Sequence, residues 1–194
     1  MAGGPWRRVR RARFRRWFGV HFALAVALFV LGALGGYAVA EPGLFRSTVG
    51  VGSESVFPER ITTWTVFLNN VVAVGVTGLG LVSLGLVAAF SVTLNGFVVG
   101  LVLGLRAPDV STTTALALIL PHGVIELTAF FLVAAITFRV NHRLARYLAG
   151  YDETALTRQE LFEAGVLFVA AVAMIAVAAW IEVNVTPVVG EFAT

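Results

Sequence analysis

Cysteine is absent from the 194 residues, which removes disulfides, thiolate metal sites and cysteine nucleophiles. Lysine is absent too, so all 14 basic residues are arginine. Charge of either sign is scarce: 13% of residues are charged, against about 25% in soluble domains. Hydrophobic residues reach 58% and mean hydropathy is +0.89. One soluble core could not hide that much apolar surface, whereas a bilayer can. The length fits a single domain. Composition therefore predicts an integral membrane protein and argues against a soluble enzyme.

The chain opens with a basic stretch over residues 1–17, carrying Arg7, Arg8, Arg10, Arg11, Arg13, Arg15 and Arg16 among Trp6, Phe14 and Trp17. An uncharged run from Phe18 to Ala40 follows, long enough to cross about 30 Å of hydrocarbon. Ala38-Val39-Ala40 resembles a signal-peptide cleavage site, but the apolar region of such a peptide runs only about 7–15 residues. The run is read as a retained first span. Beside a span, the basic segment reads as a set of lipid-headgroup anchors, with Arg7, Arg8, Arg10, Arg11, Arg13 and Trp17 as the named residues. No nucleic-acid partner is expected.

Residues 61–105 contain no charge. As one straight helix they would reach about 68 Å, twice a bilayer core, so the segment must fold back, with Gly78, Gly80 and Gly85 marking the turn. The apolar stretch from Ser111 to Leu120 is short and ends at Pro121, which cannot continue a regular hydrogen-bond ladder. It is either a short re-entrant or interfacial helix or the upper part of one kinked helix, and the first reading is adopted. A further span follows from Pro121 to Phe138. Residues 139–158 read as a polar loop ending in Thr157-Arg158-Gln159-Glu160, a capping box that starts the last helix. The expectation is an all-α transmembrane bundle of five spans, about 18–40, 61–79, 82–105, 121–138 and 161–183. It is flanked by a cytoplasmic arm (1–17) and a short extracytoplasmic tail (187–194), with the transmembrane domain covering 18–186. Five spans place eleven arginines on one side and three on the other, which puts the N-terminus in the cytoplasm and the C-terminus outside.

Polar groups interrupt these spans: Asn69-Asn70 in the second, Asn95 in the third, His122 and Glu126 in the fourth. An acid at the centre of a span costs about 2.5–3.5 kcal/mol on insertion scales, so each group should face protein. Depths of about 13, 15 and 8 Å below the outer end allow them to meet, and His122 and Glu126 share a helix face. Such a cluster can lock helices together by hydrogen bonds or line a proton, ion or solute path. His122-x-x-x-Glu126 is not a zinc motif and lacks a third ligand, so no metal and no cofactor are expected. Gly96, Gly100 and Gly104 form a small-residue stripe suited to close helix packing or a dimer seam.

In order, FLNN, LNG and above all PHGVIE (residues 121–126) resemble the stage II sporulation protein M family over roughly residues 18–185. The resemblance implies a polytopic, mostly helical membrane protein with no established catalytic activity of its own. The family's namesake looks like a scaffold that holds two peptidoglycan-degrading partners. Here the outer loops are short, leaving little room for a large extracytoplasmic hydrolase. The functional expectation is a non-enzymatic membrane scaffold or assembly factor, homo-oligomeric and bound to the lipid bilayer and to membrane or cell-envelope proteins. The rival is a small-solute, ion or proton transporter or channel component that uses the polar cluster as its site.

Overall fold

The computed structural model describes residues 16–40, 62–106, 112–186 and 188. Arg7, Arg8, Arg10, Arg11 and Arg13, with the loop over 41–61, lie outside them. Five helices follow in order: α1 (Val20–Ala38), α2 (Thr63–Gly78), α3 (Leu86–Arg106), α4 (Thr112–Leu148) and α5 (Arg158–Asn184). Each of the five, α2 together with the 3-10 turn that follows it, contributes a segment long and apolar enough to cross a membrane, and no strand occurs among the described residues. The chain is an all-α bundle of five potential spans.

Each boundary has a local cause. Thr62 and Thr65 form a reciprocal cap at the start of α2, and Thr157 and Glu160 do the same for α5, each satisfying otherwise orphaned N–H groups. Between α2 and α3 the chain reverses through a 3-10 turn over Leu79–Val82. Leu84 and Gly85 there adopt φ of 52° and 87°, and Gly85 N–H donates back to the Gly80 carbonyl at 2.9 Å. The same carbonyl accepts from the buried Asn141 amide of α4, also at 2.9 Å. Thr77 and Ser91 join the two arms through a buried hydroxyl pair at 2.8 Å. The turn thus falls where the glycines predicted it, and α3 begins four residues later than expected.

Two segments depart from the sequence reading. Residues 112–120 are the first turns of α4, which runs unbroken across Pro121, so the second of the two readings is the one adopted by the chain. Proline removes one donor from the ladder, at the Ala117 carbonyl, and a long helix anchored on both sides tolerates that loss. At its other end α4 continues to Leu148, so Arg139, Arg143 and Arg146 lie on helix rather than in a loop. Its 37 residues span about 55 Å, well beyond a 30 Å core. Charge marks where this helix leaves lipid, not where it ends.

α4 is the hub. Residues 129–138 are buried in succession except for Phe131, and α4 touches all four other helices. Phe131 meets Phe22 and Phe29 of α1 edge-on, with centroids 6.0 and 5.2 Å apart. α5 turns one stripe inward: Glu160, Glu163, Leu167, Ala171, Ile175 and Ala178, the three- to four-residue period of a helix face. The outward faces keep Val72, Val98, Phe162 and Val169 exposed, as lipid contact requires.

α1 and α3 form the most extensive pairing, and glycine explains it. A Cβ at Gly96 would overlap the Phe29 carbonyl, one at Gly100 that of Ala33, and one at Gly104 the Ala40 side chain. From the other side, a Cβ at Gly32 or Gly36 would overlap the backbone of Thr93 or Phe97. The stripe is occupied inside the chain, so it is not available as a homodimer seam.

Candidate functional site

The antiparallel packing of α4 on α5 sets the register of the polar site. His122 and Glu126 lie one turn apart on α4, and they face Glu182, in the last turn of α5, and Thr186, just past its end. His122 Nδ1 and Thr186 Oγ1 share a hydrogen bond of 3.1 Å. The Thr186 hydroxyl also points at the Ile181 carbonyl, 3.4 Å away. His122, Glu126 and Glu182 each offer one donor atom within 4.8 Å of the others, and all three are half-buried.

Glu126 also borders a cavity of about 90 Å³, whose lining includes Asn69, Asn70, Asn95, Phe29, Phe130 and Ile175. The structure therefore brings Asn69, Asn70, Asn95 and Glu126 to one place, with His122 against Glu126 on the α5 side. Asn70 and Asn95 are half-buried, and Asn69 is exposed at the rim. Direct bonds among the four cavity residues are missing among the described contacts. Asn95 Nδ2 donates instead to its own helix, at the Ser91 carbonyl, 2.8 Å away. The expected hydrogen-bonded lock is thus a polar-walled cavity in this structure.

Glu182 and Thr186 were not singled out from sequence, although Glu182 and Thr186 repeat the four-residue spacing of His122 and Glu126. Glu182 adds a third donor group beside His122 and Glu126, one that the spacing within α4 does not reveal.

A second polar centre lies at the opposite end of α5. Glu163, with a side chain 3% exposed, accepts from Arg16 at 2.8 Å and from Trp17 Nε1 at 2.9 Å. Glu160 pairs with Arg16 and Arg139 at 3.7 and 3.4 Å. The Arg139 guanidinium stacks 5.2 Å from the centre of the Trp17 ring. Trp17 is fully buried, which corrects its reading as a headgroup anchor: its N–H finds a carboxylate and its ring a cation within the bundle. Beyond this centre, Asp152 receives Arg143 and Arg146 at 2.8 and 3.0 Å. The Arg146 hydrogen bond, outweighing desolvation and helped by the nearby charges, holds the Asp152 carboxyl below the usual carboxylate range. These residues join the start of α1, the end of α4 and the start of α5, and read as structural.

The comparisons agree with this architecture. An uncharacterized protein of Methanocaldococcus jannaschii is 28% identical over 129 residues, covering 66% of this chain and 72% of the relative. No solved structure matches. The profile described as stage II sporulation protein M matches residues 24–187, a stretch that takes in all five helices except the first turn of α1, together with the Asn and Glu positions of the cavity and His122 beside them. The chain belongs to the stage II sporulation protein M family.

Proposed function

We propose that the protein is a non-enzymatic membrane scaffold or assembly factor, with its N-terminus in the cytoplasm and its C-terminus outside. The observation that carries this reading is the close packing of α1 on α3. α1 and α3 approach backbone to backbone at Gly32, Gly36, Gly96 and Gly100, and such a seam cannot slide without collision. Transporters that alternate access rely on broken helices and rocking halves, whereas α4 runs unbroken past Pro121. The cavity of about 90 Å³ is smaller than the ~150 Å³ void that holds benzene and far below the roughly 300–1,000 Å³ of small-molecule pockets. A rigid body with a small polar cavity is suited to presenting a fixed surface to membrane or cell-envelope partners. Homo-oligomers, on this reading, form through faces other than the glycine stripe. The arginine asymmetry supports the orientation.

The second reading, a conduit for protons or small ions, is favoured by the convergence of Asn69, Asn70, Asn95 and Glu126 on that cavity. Proteoliposome flux separates the two. The scaffold reading expects wild type and Glu126→Gln to match empty vesicles for protons, common ions and small metabolites, while E126Q alters folding yield or partner capture. A wild-type flux that E126Q abolishes without changing folding or pairing overturns it.

A further inference from the structure

We propose that His122, Glu126 and Glu182 form a binding site for one divalent transition-metal ion that ties α4 to α5. This goes beyond the scaffold reading and does not depend on it.

Two carboxyls and an imidazole each bring a donor atom within 4.8 Å of the others, from two helices whose register is fixed by the His122–Thr186 hydrogen bond. An ion ligated at about 2.0–2.2 Å holds its donors roughly 3.4 Å apart, so closure requires side-chain rotation rather than helix movement.

The two ends of α5 differ in how their acids are balanced. Glu160 and Glu163 face Arg16 and Arg139. Glu126 and Glu182 face each other, and among the described residues neither receives an arginine or a hydrogen bond. Two acids apposed inside an apolar bundle need a proton or a positive partner, and a divalent ion supplies the latter.

The histidine is prepared for this role. A Thr186 hydroxyl that donates to the Ile181 carbonyl, 3.4 Å away, accepts from the His122 Nδ1–H at 3.1 Å. In that tautomer Nε2 carries the free lone pair. A hydrogen bond on one ring nitrogen that orients the other is the usual outer support of a metal-bound histidine.

One nitrogen and two carboxylates suit Zn²⁺ or Mn²⁺ better than Ca²⁺ or Mg²⁺, which prefer all-oxygen shells. Three protein ligands leave positions for water.

The test uses the full chain, purified in detergent, stripped with chelator, loaded with Zn²⁺ or Mn²⁺ and desalted, with metal content measured by mass spectrometry. Wild type is expected to retain one ion per chain and to gain thermal stability. His122→Ala and Glu182→Gln are expected to fall to background. Thr186→Val, which spares all three ligands, is expected to weaken binding about 10- to 100-fold. His142→Ala is the control: it removes the His21–His142 contact, and binding should persist. Pulsed EPR of Mn²⁺-loaded wild type should show coupling to one imidazole nitrogen, a readout independent of how any variant folds. Lack of stoichiometric uptake by wild type, in which case protons neutralise the acids, overturns the proposal. So do uptake indifferent to H122A and E182Q, uptake lost in H142A, or bound Mn²⁺ without nitrogen coupling.

Discussion

Replacing Gly100 by alanine adds one methyl group at the closest approach of α1 and α3. Its Cβ would overlap the Ala33 carbonyl oxygen and lie 2.6 and 2.8 Å from the Ala33 carbonyl carbon and Cα, where ordinary carbon contacts are about 3.5–4.0 Å. All three neighbours are backbone, so no rotamer change relieves the clash and one helix must retreat by about 1 Å. Overpacking of a well-packed site costs about 1–3 kcal/mol. The upper half of that range applies, because retreat also loosens the contacts at Gly32, Gly36 and Gly96. Alanine is the better helix former by about 0.8–1.0 kcal/mol, which leaves a net loss of about 1–2 kcal/mol. Gly75→Ala and Gly165→Ala supply the internal control: nothing lies within 4 Å of a Cβ at either position, and the same change should be neutral or stabilising by up to about 1 kcal/mol. Reversible unfolding in mixed micelles, followed by circular dichroism, reads both signs. Should G100A prove as stable as G75A, the two helices do not approach as described.

Three further outcomes follow from other parts of the bundle. Glu163→Gln removes the negative charge from the oxygen that accepts from Arg16 and Trp17 and should cost about 1.5–3 kcal/mol, the range for hydrogen bonds to charged groups, read by the same unfolding assay. Asn141→Ala strips the side-chain donor from the Gly80 carbonyl and should cost about 1–3 kcal/mol, with faster hydrogen exchange confined to residues 79–86. Asp152 has a depressed folded pKa, so its contribution is fully present above the unfolded value of about 3.9 and is lost as pH falls through the lower folded value. Asp152→Asn should erase that acid-limb dependence in a stability–pH profile while leaving the neutral-pH slope unchanged.

Much of the architecture was legible because lipid is an unforgiving solvent. Long uncharged runs set the five helices, glycines 78, 80 and 85 located the reversal, and Thr157–Glu160 announced the start of α5. The gathering of Asn69, Asn70, Asn95 and Glu126 followed from the cost of pointing them outward. What escaped notice obeyed other rules. Arg139, Arg143 and Arg146 looked like loop because they are charged, yet a helix that has left the bilayer gains from charge on its surface. Pro121 looked like a terminus because it breaks local bonding, and tertiary packing overrode it. Trp17 looked like an interfacial anchor because composition cannot reveal that Glu163, 146 residues away, waits inside the bundle. Glu182 carries no signal of its own in the sequence, because His122 and Glu126 lie more than fifty residues earlier and only the antiparallel register of α4 and α5 brings them together.

The inward orientation of the polar residues underlies both the cavity and the metal site, and the chain's lack of cysteine makes it directly measurable. Single cysteines at Asn70, Asn95 and Glu126, and at the neighbouring Val72, Val98 and Val124, which are 63%, 49% and 57% exposed, can each carry a nitroxide label in lipid nanodiscs. Oxygen, which concentrates in hydrocarbon, should collide often with labels at the three valines and rarely with labels at Asn70, Asn95 and Glu126. Equal collision rates at the two sets of positions would place the polar side chains in lipid and contradict the structure described here.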